Sequence, residues 1–191
     1  RASGVVTLST LAASVISGLN WISYSGNGIA ITSGSFNLIS ITRGFSTASG
    51  TGEVNVFNYT ATINQTGGAS GITRGLYINP TLTSAFDFRG IEVTNGSIVL
   101  PYKAITTTYA VLNSDYLINA TTGTFTITLP TAVGGAGRTY IIKNSGAASV
   151  ITVATTSSQT IDGSTTYVLT ALNKYVNVVS DGANWIITAN N

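Results

Sequence analysis

A period of two runs through the second half of this sequence and limits the folds open to it. Thr124-Phe125-Thr126-Ile127-Thr128-Leu129 alternates polar and apolar residues, the pattern of an extended chain with one face buried and the other in water. Val150-Ile151-Thr152-Val153 and Lys174-Tyr175-Val176-Asn177-Val178-Val179 read as strands with at least one covered face. Lys, Glu, Gln and Arg are rare while Thr, Val, Ile and Tyr crowd the chain, which favours strand over helix throughout. Only Leu8 to Leu19 offers a short helical turn.

The texture changes near Pro101. After it, eight strands are expected near Thr106–Leu112, Tyr116–Asn119, Thr124–Leu129, Thr139–Lys143, Val150–Ala154, Thr166–Thr170, Tyr175–Ser180 and Trp185–Ala189. Short strands at this spacing predict a compact sandwich-like β-domain over residues 106–191. Asn27-Gly28, Asn95-Gly96, Asp162-Gly163 and Asp181-Gly182 suit the positive φ angles of type I′ hairpin turns. Residues 1–100 are rich in Gly and Ser and read as an extended β shaft with faint repeats. Ser40-Ile41-Thr42-Arg43-Gly44-Phe45 is echoed by Gly71-Ile72-Thr73-Arg74-Gly75-Leu76, and a third Arg-Gly follows at Arg89-Gly90; recurrences of this kind suggest stacked β-units. Leu100-Pro101-Tyr102-Lys103-Ala104 is the expected hinge, with 101–105 as linker, because proline cannot donate to a central ladder.

Only 7% of residues are charged, against roughly a quarter in an ordinary soluble domain. Hydrophobic residues make up 43%, so the chain lacks the low hydrophobicity and high charge of disordered sequences. No run approaches the ~18 continuous apolar residues of a membrane span, and a soluble chain is expected. The sequence has no Cys and no His, which removes the ligand sets of structural zinc and the Ser-His-Asp and Cys-His triads. It also has no Met, so Arg1 reads as the start of a processed or excised product. The net charge is +2, and Arg1, Arg43, Arg74, Arg89, Lys103, Arg138, Lys143 and Lys174 form no cluster. Nucleic-acid binding, which relies on dense cations, is not expected.

Residues 1–70 hold long stretches of Gly, Ser, Thr and Ala, whose side chains bury little area. Burial contributes roughly 25 cal/mol per Å² of apolar surface, against about 1–2 kcal/mol of backbone entropy for each residue ordered. Intrachain packing is therefore not expected to order this half, and identical copies would supply the missing apolar area. The chain is expected to be an obligate homo-oligomer.

Gly71-Ile72-Thr73-Arg74-Gly75-Leu76-Tyr77-Ile78-Asn79-Pro80-Thr81-Leu82-Thr83, followed by Asp87-Phe88-Arg89-Gly90-Ile91-Glu92, resembles a segment of fibre-like proteins from phages and prophages of Bacteroidetes-type hosts. From Tyr109 to Trp185 the chain is similar to a small β-domain of phage tail fibres. The matching pieces are Asp115-Tyr116, Thr126-Ile127-Thr128-Leu129-Pro130, Gly137-Arg138-Thr139-Tyr140-Ile141-Ile142-Lys143, Thr160-Ile161-Asp162-Gly163 and Ser180-Asp181-Gly182-Ala183-Asn184-Trp185. Residues 1–40 have no counterpart. The resemblance implies a homotrimeric rod-and-knob virion appendage, often with a receptor-contacting tip, and leaves tail fibre, head fibre and baseplate piece open.

The candidate residues follow from the few polar groups of chemical interest. The acids are Glu53, Asp87, Glu92, Asp115, Asp162 and Asp181. A glycosidase needs two carboxylates across the sugar bond. Asp87 and Glu92 are the only close pair, and on a strand they face opposite sides. Glu92 is expected to pair with an arginine of this chain or a neighbour, and Asp162 and Asp181 are expected in turns. Arg43, Arg74 and Arg89 are weighed between clamping an anionic or sugar ligand and capping backbone carbonyls between stacked units. The second role is preferred. Gly134-Gly135-Ala136-Gly137-Arg138-Thr139 lacks the lysine and following helix of a phosphate loop and reads as a loop between strands.

Trp185 is expected to anchor the last strand in the core. Tyr102, Tyr109, Tyr116, Tyr140, Tyr167 and Tyr175 are divided between sugar-stacking platforms and partly buried core. Sequons at Asn58, Asn64, Asn95 and Asn119 are expected to stay bare. No catalytic residue, metal site or cofactor is expected, and the ligand-contacting residues stay open. The expected function is a structural virion appendage, a trimeric tail or head fibre contacting host polysaccharide and other virion proteins, without membrane insertion. The alternative is a secreted or surface-bound bacterial carbohydrate-binding adhesin module.

Overall fold

All the strands among the described residues lie after Pro101, where the period of two begins. The computed structural model describes residues 51, 53, 55–60, 62–64 and 72–191, and the chain divides into two units, Arg1–Tyr77 and Ile78–Asn191. The strands are β1 (Tyr102–Ile105), β2 (Tyr109–Ala110), β3 (Leu117–Ala120), β4 (Phe125–Thr128), β5 (Thr139–Asn144), β6 (Ile151–Ala154), β7 (Thr166–Leu169), β8 (Tyr175–Ser180) and β9 (Trp185–Asn190). The class is all-β. No helix among the described residues is long and apolar enough to cross a membrane.

Two sheets face each other, one ordered β1-β3-β5-β8-β9 and the other β2-β4-β6-β7. The chain switches sheets at each of its first five connections, so β1, β3 and β5 pair in parallel in one sheet. In the same way β2, β4 and β6 pair in parallel in the other. Parallel neighbours need a long crossover, and here the opposite sheet supplies it. The result is a stack of three coils whose corners are also bonded: Thr121 N–H donates to Ile105 O at 3.0 Å and Ser145 N–H to Ala120 O at 2.8 Å. After β6 the chain reverses, and β7, β8 and β9 close the sheets with antiparallel pairs.

The alternation in sequence becomes the core through this register. Ile118, Ile142 and Val176 form one row across the larger sheet, with Tyr140 beside Val178. Ile127 lies beside Val153, and Phe125, Ile151 and Leu169 form a row in the smaller sheet. Apart from the half-buried Phe125, these side chains are buried between the sheets. Trp185 completes the core, its ring tilted on Tyr140 with centroids 5.5 Å apart.

Polar groups inside the core hold loops in place. Buried Asn144 donates from Nδ2 to Ser149 O and Leu169 O and accepts at Oδ1 from Gly146 N–H. Gln159 Oε1 accepts from Ala132 N–H at 2.9 Å, and Ser180 Oγ donates to Ala132 O at 2.7 Å. These bonds pin the glycine-rich loop, which leads directly into β5 as a loop between strands.

Three local expectations change. Tyr102–Ile105, inside the expected 101–105 linker, is β1 at the edge of the larger sheet, and Pro101 sits just before it, where its missing donor costs nothing. Of the expected turns among the described residues, only Asp162-Gly163 has both φ angles positive, at 46° and 85°; it joins Ile161 to Ser164 by reciprocal bonds. At Asp181-Gly182 only the glycine has positive φ, and the link between β8 and β9 is a wider loop. No strand flanks Asn95-Gly96. Asn27-Gly28, the Leu8–Leu19 turn, Arg43 and the echo at Ser40–Phe45 lie outside the described residues. The echoes at 72–76 and 88–91 carry no strand.

Candidate functional site

Residues 78–101 form no strand, and every one of them is exposed. Their large apolar side chains meet solvent too: Phe86 is fully exposed and Val99 is 90% exposed, and Ile78, Leu82, Ile91 and Ile98 are open as well. Bends at Phe86–Asp87 and Gly90–Ile91 fold the middle of this segment back on itself. The bends bring two carboxylates onto one guanidinium. Arg89 Nη2 lies 2.7 Å from Asp87 Oδ2, with Nε donating to the same oxygen at 3.0 Å. Arg89 Nη1 donates to Glu92 Oε1 on the other side.

This clasp corrects the expected geometry, in which Asp87 and Glu92 point to opposite sides of a strand. The segment is not a strand, and the bend at Gly90 brings Glu92 round to Arg89. Arg89 therefore engages carboxylates instead of backbone carbonyls, while the expected pairing of Glu92 with an arginine of this chain is present. The spacing Asp-x-Arg-x-x-Glu was visible in the sequence, and a loop reading of it would have found the clasp.

In the first unit, the described residues are all exposed. Arg74 carries its guanidinium 4.5 Å from the centre of the Tyr77 ring, a cation–π contact. The Tyr59 ring lies 3.8 Å from where a Cβ on Gly75 would sit.

The remaining acids of the second unit serve the fold. Asp115 Oδ2 accepts from Tyr109 OH at 2.8 Å and from Leu112 N–H at 2.8 Å. Lys103 Nζ lies over the Tyr109 ring, 5.1 Å from its centre. Burial, reinforced by Asp115, pushes the Tyr109 phenol up to about 12. Asp181 Oδ1 accepts from Asn184 N–H at 2.6 Å and Ala183 N–H at 2.7 Å, and these backbone bonds hold its carboxyl below the usual value. Asp162 Oδ1 accepts from Ile187 N–H at 3.1 Å. Both residues are in turns, as expected.

The tyrosines divide by face. Tyr140 is buried, and Tyr109 and Tyr167 pack against the core. Tyr116 and Tyr175 are half-buried. Tyr102 alone among the six keeps an open ring, 62% exposed; its hydroxyl accepts from Asn119 Nδ2 at 3.0 Å. Asn119 also accepts from Ser145 Oγ at 2.7 Å, so this sequon amide is committed within the fold. Asn58, Asn64 and Asn95 are exposed. Trp185 is fully buried, as expected. Arg138 Nη1 donates to Asn113 Oδ1 at 2.7 Å.

Searches against protein-family models and against curated proteins matched nothing. Among the described residues, the segment 78–101 with its clasp leaves a run of large apolar side chains open to solvent.

Proposed function

We propose that this chain is a subunit of a homo-oligomeric virion appendage, a trimeric tail or head fibre, in which sister copies cover the segment before β1. One observation carries the association: residues 78–101 are exposed throughout in the single chain, although they hold nine large apolar side chains from Ile78 to Leu100. The largest apolar patch on a monomer is commonly about 300–600 Å². Nine such side chains present on the order of 1,000 Å², since a single aromatic ring alone buries about 150–250 Å². A net charge of only +2 opposes association of copies weakly.

The number three and the virion setting rest on the resemblance of 71–83, 87–92 and 109–185 to fibre-like phage proteins, and so does contact with host glycan. The test is sedimentation of the intact chain at micromolar concentration. A three-chain mass is expected. A folded, stable particle of one chain overturns the reading.

A further inference from the structure

The clasp sits among the apolar side chains of its own segment, in the order Phe86-Asp87-Phe88-Arg89-Gly90-Ile91-Glu92-Val93. Phe86, Phe88, Ile91 and Val93 are each at least half exposed. The side chains of Arg89, Asp87 and Glu92 are also about half exposed, at 57%, 53% and 47%. Pairs this open contribute little to a lone chain. The arrangement gains weight only where water is removed, because an unpaired charge entering an apolar contact is heavily penalised and a paired one far less.

We propose that Phe86, Phe88 and Ile91 form part of the contact with a second copy of this chain, and that Asp87, Arg89 and Glu92 enter that contact as a pre-paired, desolvated triad. The inference rests on the association proposed above and assigns its residues. The occupant is a sister copy because the exposed apolar area of 78–100 matches the roughly 800 Å² that each partner gives to a stable interface. The bonds within the triad are local, lying within six residues of one chain, so each copy arrives with Arg89 already held between its two carboxylates and with one net negative charge on the triad.

The experiment compares the intact chain with Arg89→Met and with the charge-free variant Asp87→Asn/Arg89→Met/Glu92→Gln. Sedimentation gives the association constant at low salt and at about 1 M salt, where the Debye length falls to about 3 Å. Near-UV circular dichroism of the buried Tyr140–Trp185 pair reports that the β-domain is folded in every variant. Arg89→Met leaves two carboxylates without their partner and is expected to weaken association at least 100-fold at both salt concentrations. The charge-free variant is expected to recover most of that loss.

A change under threefold for Arg89→Met, or a loss that disappears in high salt, places the clasp in water and overturns the proposal while the chain still associates. Failure of the charge-free variant to recover association overturns the triad role in the same way. A parent chain that sediments as a monomer removes the underlying association instead.

Discussion

Trp185 shows how one residue can link the closing strands to the coil stack. It starts β9, pairs with Ser180 of β8, and forms a parallel bridge to Ile161. Its N–H donates to Thr160 O at 2.8 Å and its carbonyl accepts from Asp162 N–H at 3.0 Å. Trp185→Ala is expected to cost about 3–5 kcal/mol, the range for emptying an aromatic core site. Trp185→Phe should cost less, because the indole Nε1 is buried without a hydrogen-bond partner among the described residues; removing an orphan donor recovers about 1–3 kcal/mol of desolvation. Urea unfolding of the three proteins checks the order, and equal losses for both variants would contradict it. Tyr109 offers a second reading at this scale. Its phenol is raised to about 12 by burial and by Asp115, so the folded state favours the neutral form. The associated stability is full below the ordinary value of 10 and is lost as pH rises through about 12. Phenolate absorbance should show Tyr109 and the buried Tyr140, which burial also pushes up, titrating late, and Asp115→Asn should move the Tyr109 step to lower pH; an unchanged step would remove Asp115 as a cause.

At the scale of elements, two corners of the coil stack approach each other closely at Gly146. Gly146, just after β5, lies where a Cβ would meet Ser149 Oγ and come within 2.9 Å of Thr122 Cα and 3.0 Å of Thr121 O. Two of those atoms are backbone of the preceding corner, so they cannot swing away. Gly146→Ala is expected to cost about 1–3 kcal/mol as an overpacking change, read as a shift in the denaturation midpoint; a neutral result would mean that the corners are not packed on one another. The strands from β2 to β9 were legible because period two is local: Thr124–Leu129 announces which side chains go inward whatever lies beside it. Its neighbour was not legible. The same alternation serves a hairpin or a parallel coil, and only the register of Ile127 on Tyr109 and Val153 decides between them. β1 escaped notice because Tyr102, Lys103 and Ala104 are all exposed and only Ile105 is buried, which leaves no alternation to read. The clasp was hidden by treating 87–92 as extended chain, although the residue types for it were in view.

For the whole molecule, the described residues separate into a part that completes its own interior and a part that does not. The buried apolar residues run from Ile105 to Trp185 and make a single cluster. At the first coil this core meets Lys103 and Tyr109, whose inward positions correspond to Ile118 and Ile127 one coil later. The ammonium over the Tyr109 ring and the phenol bonded to Asp115 replace aliphatic packing with a polar end, as a terminal repeat of a stacked fold requires. The buried cluster of the β-domain takes no side chain from residues 78–100. A fragment of residues 101–191 is expected to unfold cooperatively and to sediment as one chain, whereas the intact chain is expected to associate. Calorimetry and sedimentation of the two proteins side by side provide the check. A fragment that is unfolded, or that assembles as the intact chain does, would show that the closing end at Lys103 and Tyr109 is insufficient and that association resides in the β-domain instead of the segment before it.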